Sequence, residues 1–405
     1  MKALVFKGVG KIELAELPKP VLQDSTDAIV RIIAASICGT DLHMVRGSMS
    51  GMKPGSILGH EAVGIVEQVG ASVQNFKEGD RVVVCSTIAC GNCVYCQAEE
   101  YSSCDRANPN GPEAGTAFFG GPVSSGPFDG LQAEFARIPY ADAVLVAIPE
   151  QVNNDDALLV SDVFPTGYMA AKIADVQEGD IVAVFGCGPV GQMAIASAKL
   201  LGASKVIAVD CLQDRLETAK GQGAMILNYN ENDPVEALHD LSDGYGPDAC
   251  IDAVGLDAEK ATEGPASEKR PFIKEFSDYL EQKMLAPTKF NLGDQWRQGN
   301  APSQVLQWCV ESVRKSGVIS IVGVYAENSV RFPIGLAMQK ALTVRAANCS
   351  HRKYVPTLLK LIADGQFRPS AILTKQCDLI QAVNCYEHFD RRESGWLKVR
   401  LSPAA

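Results

Sequence analysis

Four cysteines, Cys90, Cys93, Cys96 and Cys104, stand in the spacing C-x2-C-x2-C-x7-C. A short run of backbone can bring such thiolates around a tetrahedral centre about 2.3 Å away, and the fourth closes the centre against solvent. Four thiolates leave no position open for a substrate, so the chemistry is that of a structural zinc; unligated thiols and an iron–sulfur cluster are the competing readings. A second pattern, Gly186-Cys187-Gly188-Pro189-Val190-Gly191, is a G-x-G-x-x-G loop between the apolar run 181–185 and a helical stretch at 192–201. Its glycines allow a tight turn and close approach to a pyrophosphate, whose charge the helix N-terminus stabilises. Asp210 lies nineteen positions after Gly191, where a carboxylate accepts both ribose hydroxyls of an adenosine and repels a 2′-phosphate, which favours NAD over NADP. Arg215, a turn further on, either stacks on the adenine or forms a surface ion pair. A third pair of segments, Cys38-Gly39-Thr40-Asp41-Leu42-His43 and Gly59-His60-Glu61, offers a thiolate and an imidazole, ligands that a catalytic zinc takes while keeping one position open.

These residues need two different scaffolds. Up to about Val160 the chain reads as short β-branched strands and loops, among them 28–34 and 81–85. From Ile181 onward, apolar runs at 181–185, 205–210, 225–228, 249–254, 318–324 and 342–346 alternate with helical stretches, which predicts an α/β fold with a doubly wound parallel sheet. A helix over about 354–364 closes this part, and the tail beyond it is too short to fold alone and is expected to pack on the N-terminal half. The stretch 256–302 is too long for a simple strand-to-helix connection and reads as an insertion. Within it Phe272, Ile273, Phe276, Tyr279, Leu280 and Met284 recur at helical spacing, so that face is expected to lie against its own domain, a ligand or another subunit. His239, His351 and His388 belong to no motif and are read as solvated or capping residues, and Asp390-Arg391-Arg392-Glu393 as a solvated turn.

Composition narrows the function further. Against 37 Lys plus Arg the chain carries 48 Asp plus Glu, a net charge of −11, so no basic field exists to hold nucleic acid or anionic lipid. The charged opening Met1 to Gly8 lacks a secretory apolar core, and the one long uncharged run, 181–198, is broken by glycines; a cytoplasmic protein without a membrane span is expected. Thirteen cysteines in such a chain suit metal ligation and scattered buried thiols better than a disulfide framework.

The Cys38 and Gly59-His60-Glu61 segments, the four-cysteine loop and the dinucleotide loop, in this order, resemble the zinc-containing medium-chain alcohol dehydrogenases over essentially the whole chain. The resemblance implies a β-rich GroES-like catalytic domain over 1–163, completed by 352–405, and a Rossmann coenzyme domain over 164–351 with the insertion at about 256–302. It implies two zincs per chain, one structural and one catalytic, with Cys38 and His60 as catalytic ligands and Asp162 as the third. Glu61 is a further candidate ligand; with Asp41 it is better placed to hold the ligands from behind. Thr40 is implied as the partner of the substrate oxygen and His43 as the acceptor that carries its proton away, while zinc polarises that oxygen. Aspartate at 162, the insertion after Ala253-Val254-Gly255, and the segments Gln132-Ala133-Glu134-Phe135 and Ile138-Pro139-Tyr140-Ala141-Asp142 are similar to the glutathione-independent formaldehyde dehydrogenases, in which such an insertion covers the adenosine end of a tightly held NAD. Glu99 departs from the pattern, standing where the structural zinc loop commonly has Gly. The family forms homodimers and homotetramers.

The expectation is therefore an NAD-dependent, zinc-dependent oxidoreductase acting on a small alcohol or hydrated aldehyde. A formaldehyde dehydrogenase or dismutase with retained NAD is the alternative, followed by a polyol dehydrogenase and by a non-enzymatic dinucleotide-binding protein.

Overall fold

The computed structural model describes residues 1–270, 272–285, 295–326 and 331–403. By its internal contacts the chain divides into two compact units, one of Met1–Pro165, Phe290–Arg297 and Asn348–Ala405, the other of Thr166–Lys289 and Gln298–Ala347.

The first unit is built on a seven-stranded sheet whose longest member is Ala28–Ile37. Eight of its ten side chains are Ile, Val or Ala and nearly all of these are buried, as suits a strand packed on both faces. Two register shifts, between Ile29 and Val30 and between Ile32 and Ala34, bend this strand and let it pair antiparallel with Ala62–Val69, Phe135–Ile138 and the carboxy-terminal Val399–Ser402. Gly64 is required where the strands press together, since a Cβ there would stand 2.4 Å from the Arg31 carbonyl oxygen. The pairing of Val399 with Ile37 matters for function, because it brings the last residues of the chain to the strand end that leads into Cys38.

The second unit carries a six-stranded, all-parallel sheet with the spatial order Met225–Asn228, Lys205–Asp210, Ile181–Phe185, Ala249–Asp252, Val318–Ile321, Thr343–Ala346. In sequence order that is 3-2-1-4-5-6, the doubly wound arrangement, with its switch point beside Ile181–Phe185. Helices cover both faces: Ala194, Ile195, Ala198 and Leu216 pack with Val184 in one cluster, and Val305, Trp308, Cys309 and Val310 with Phe185 in the other. Two strands stop short of the expected 249–254 and 318–324. Asp252 turns the chain by accepting the backbone N–H groups of Val254 and Gly255, and Gly323 packs so closely on Gly255 that a Cβ would lie 2.2 Å from its nitrogen.

The insertion contains the helix Phe272–Leu285, and of the three expected placements of its apolar face the one against its own unit is not found. Ile273, Phe276 and Met284 are 80%, 54% and 66% exposed, and Tyr279 and Leu280 are exposed as well. Asp278 and Glu281 face inward and are almost wholly buried, with Leu285 at the helix end buried as well. Asp278 pairs with Arg270 and, at 2.8 Å, with Arg331, while Glu281 accepts from Ser303 and lies 3.4 Å from Arg331. Paired charges can occupy the inside of a helix that apolar periodicity alone would turn round. Among the described residues no helix is long and apolar enough to cross a membrane.

Because Asp278 is the buried end of these pairs, Asp278→Ala is expected to cost about 3–5 kcal/mol, leaving Arg270 uncompensated. Phe276→Ser on the exposed face should stay within about 0.5 kcal/mol of the parent. Urea unfolding of the two variants distinguishes this orientation from the opposite one.

Candidate metal and cofactor sites

Cys38 follows the end of the long strand and leads directly into the helix Gly39–Arg46. Asp41, in the first turn, accepts the Cys38 backbone N–H at 2.9 Å through Oδ2. Its other oxygen lies 3.1 Å from His60 Nδ1, so one fully buried carboxylate fixes both the loop of the thiol and the ring of the imidazole. Orienting the ring in this way leaves His60 Nε2 as the ligand atom. Gln132 Nε2 supports Asp41 at 3.3 Å and also donates to the Ser36 carbonyl, and the Tyr386 hydroxyl holds Gln132 Oε1 at 2.8 Å.

Asp162, between the helices Asn154–Val160 and Val163–Ile173, brings Oδ2 to 3.7 Å from both Cys38 Sγ and His60 Nε2. With Glu61 added, the four ligand atoms lie within 4.8 Å of one another and all four residues are buried. A thiol, an imidazole and a carboxylate at this spacing form a donor set suited to zinc. The Phe118 ring meets His60 edge-on at a centroid distance of 6.4 Å and gives the set an apolar neighbour.

The local electrostatics are those of a site built around positive charge. Burial, reinforced by the Glu61 carboxylate, pushes the Cys38 thiol up, so ionising the sulfur calls for a cation. Burial works against the charged form of His60, but Asp41 outweighs it, with help from Asp162, and holds the imidazole well above its ordinary value. Asp162 is held well below the usual carboxylate range: burial opposes this and is outweighed by hydrogen bonds from His351 and His60. Glu61 sits above its ordinary value because burial exceeds the pull of Lys398. Lys398, fully buried, places Nζ 2.8 and 2.6 Å from the two Glu61 oxygens and 3.0 Å from the Ile37 carbonyl; Ser36 donates to Glu61 as well.

Two contacts run against the sequence reading. His351 is not solvated: it is buried, with Nε2 2.8 Å from Asp162 Oδ1 and Nδ1 2.9 Å from Thr87 Oγ1. Burial pulls its pKa down, yet Cys349 and Asp162 push it up to about 10. Asp390 is likewise no part of a solvated turn, since it is buried and takes Arg46 Nε at 2.8 Å, anchoring the end of the Gly39–Arg46 helix. His351, Thr87 and Lys398 carried no local motif, Gln132 stood out only within a segment of family resemblance, and the pairing of distant segments brings all four to these candidate ligands.

Thr40 is half-buried, with Oγ1 4.0 Å from Cys38 Sγ. His43 lies one turn along the same helix, buried, with Nδ1 3.0 Å from Ser48 Oγ.

In the four-cysteine loop the sulfurs are 3.5 Å apart between Cys93 and Cys96, 3.9 Å between Cys93 and Cys104, and 4.0 Å between Cys90 and Cys96. The edge of a tetrahedron with a 2.3 Å radius is about 3.8 Å, so the spacing fits a four-thiolate zinc. Glu99 adopts φ 61°, the left-handed turn that a glycine would take without strain. Burial would raise the Cys104 thiol, but backbone N–H groups of Cys90, Arg106 and Ala107 outweigh it and pull it down, which favours the thiolate.

In the second unit, Gly186 turns the chain at φ 88°, and Gly191 admits no side chain because a Cβ would stand 1.8 Å from the Gly186 oxygen. Gly188 caps the helix Pro189–Leu200, with Pro189 and Val190 in its first turn. Next to Gly188 there is space: the nearest atom to a Cβ there would be Arg215 Nη1 at 3.6 Å. Asp210, at the carboxyl end of its strand, accepts the N–H groups of Cys187 at 2.7 Å through Oδ2 and of Cys211 and Leu212 at 2.7 and 3.0 Å through Oδ1. A carboxylate has about four lone-pair sites, so these bonds orient it and leave capacity for hydroxyls. The cradle fits a dinucleotide.

Residues 24–150 match the alcohol dehydrogenase GroES-like domain family, and residues 189–262 match the zinc-binding dehydrogenase family. Over 407 residues, and 100% of both chains, the sequence is 33% identical to an uncharacterized zinc-type alcohol dehydrogenase-like protein of Bacillus subtilis (strain 168). It is 30% identical to the glutathione-independent formaldehyde dehydrogenase of the same organism, over 96% of this chain and 94% of that one. The solved alcohol dehydrogenase of Thermus sp. ATN1 superposes with a TM-score of 0.80 at 33% identity, covering 99% of each chain. The chain belongs to the zinc-containing medium-chain alcohol dehydrogenase family, with a GroES-like domain and a parallel-sheet Rossmann-like domain.

Lys398→Met removes the ammonium bonded to the buried Glu61 and is expected to destabilise the protein by about 3–5 kcal/mol. With the pull of Lys398 gone and only that of His60 left against burial, the folded-state pKa of Glu61 rises further above its unfolded value. Folding then requires a bound proton, and the loss should grow as pH rises above the ordinary glutamate range. Urea titrations at several pH values check this, and the E61Q/K398M double variant should recover part of the loss.

Proposed function

We propose that this protein is a zinc- and NAD-dependent dehydrogenase that moves hydride between a small alcohol, or the hydrate of an aldehyde, and NAD. The observation that carries the reading is the convergence of Cys38, His60 and Asp162 at ligand distance beside the Thr40 hydroxyl. Bound at Cys38, His60 and Asp162, zinc supplies the Lewis acidity that makes an alcohol hydroxyl a stronger acid, and NAD supplies the hydride acceptor.

The chain's own residues do the rest. Thr40 holds the substrate hydroxyl and takes its proton in a hydrogen bond. His43, buried on the same helix and oriented through Nδ1 by Ser48, is the base to which that proton passes. Asp41 and Gln132 keep the Cys38 and His60 donors in place. Cys90, Cys93, Cys96 and Cys104 hold the structural zinc. Gly186, Gly188 and Gly191 admit the pyrophosphate, and Asp210 receives the adenosine ribose, its charge favouring NAD over NADP.

A second reading, a formaldehyde dehydrogenase or dismutase with retained NAD, is favoured by aspartate as the third donor, by the long insertion, and by similarity to the formaldehyde dehydrogenase of Bacillus subtilis. A homo-oligomer, dimer or tetramer, is favoured by the strand Thr343–Ala346, which ends its sheet with all four residues exposed and so offers an open edge.

Native mass spectrometry of the undialysed protein, followed by an alcohol panel read at NADH absorbance, tests both readings and the assembly mass together. Two zincs per chain and NAD-dependent oxidation support the proposal, and co-purified NAD selects the second reading. Cys38→Ser should lose one zinc and at least about a hundredfold in activity, the scale set by removing a main transition-state stabiliser. Full activity without that zinc overturns the proposal.

A further inference from the structure

Among the described residues, His351 occupies an oxygen of Asp162 without being a candidate ligand itself. Its Nε2 lies 2.8 Å from Oδ1, whereas Oδ2 is the oxygen that faces Cys38 Sγ and His60 Nε2, 3.7 Å from each. The two carboxylate oxygens therefore have separate duties. A terminal carboxylate otherwise rotates broadly about its last bond and can present one oxygen or both.

The imidazole is itself fixed. Thr87 Oγ1 lies 2.9 Å from Nδ1 and donates to the Cys349 carbonyl at 2.8 Å, so the ring plane is set from the side opposite Asp162. His351 opens the helix His351–Ala363, and the preceding Ser350 is tied to Ser102 by hydrogen bonds of 3.1 Å to its backbone nitrogen and its hydroxyl. Ser102 lies in the segment between Cys96 and Cys104, so the four-cysteine loop braces the residue next to His351. A residue oriented on both ring nitrogens, at the start of a braced helix, is a rigid support.

We propose that His351, held by Thr87, is a positioning residue that makes Asp162 a single-oxygen metal ligand: it engages Oδ1 and presents Oδ2 toward Cys38 and His60. Partners of this kind typically govern metal affinity by 10- to 100-fold, because they pre-orient the ligand and tune its charge. The proposal rests on the catalytic-zinc reading above and adds a residue to it that neither the motifs nor spacing in sequence identified.

The test uses the purified full-length protein and counts zinc by native mass spectrometry during titration with a competing chelator. The four-cysteine zinc is the internal reference, and cobalt exchanged into the second site gives a spectroscopic signature of its ligand geometry. Expected for His351→Ala is one zinc retained as in the parent and the other released at roughly 10- to 100-fold lower chelator concentration, with altered cobalt bands. His351→Gln, whose amide N–H can reach the Oδ1 position, should restore most of the difference. Thr87→Val, which keeps the imidazole and unties it, should shift release in the same direction by a smaller factor, and serves if His351→Ala does not fold. Unshifted release and unchanged cobalt bands in both His351→Ala and Thr87→Val, with the second zinc still lost in Asp162→Ala, overturn this inference and leave the catalytic-zinc reading standing. A second zinc retained in Asp162→Ala overturns the ligand assignment and, with it, this inference.

Discussion

Three acidic donors, Cys38, Glu61 and Asp162, are buried together, and buried charge is tolerated only where it is paired or bound to a metal. Much of the first unit follows from meeting that condition. Lys398 reaches Glu61 because the chain's last strand pairs with the strand that leads into Cys38. His351 reaches Asp162 from the start of a late helix, and Asp41 turns one carboxylate toward both Cys38 and His60. Each donor thus has a partner on its far side, which leaves the near sides free to converge.

The same condition explains why the insertion helix is turned as it is. Asp278 and Glu281 face inward because Arg270, Arg331 and Ser303 receive them, and Ile273, Phe276, Tyr279, Leu280 and Met284 are left on the outside. Apolar burial is worth about 1.5–3 kcal/mol for a large side chain, whereas a buried carboxylate without its partners costs more. Once the arginines are placed, the orientation with paired acids inside becomes accessible, and the hydrophobic pattern no longer decides it.

The dinucleotide loop shows the opposite case, where backbone geometry rather than charge is limiting. Gly191 leaves no space for a Cβ beside the Gly186 carbonyl, and Asp210 is fixed by three backbone N–H groups before any ligand is considered. A site of this type is preorganised by its loop, whereas the Cys38, His60 and Asp162 set is preorganised by the side chains around it.

The sequence by itself determined the parts whose geometry is local. The four cysteines span fifteen positions and G-x-G-x-x-G spans six, so a few backbone dihedrals suffice to form each, and residue type and spacing announce them. The alternation of apolar runs and helices likewise announced the parallel sheet, because each strand must be buried on both faces. Only the tertiary structure decided which residues stand behind the candidate ligands. Asp162 and His351 are 189 positions apart and Glu61 and Lys398 are 337 apart. No periodicity or spacing links residues so distant; strand pairing and helix placement bring them together, and a lone histidine or lysine looks the same in sequence whether it ends in solvent or against a buried carboxylate. The orientation of the insertion helix has the same cause, since it depends on arginines outside the helix rather than on its own pattern.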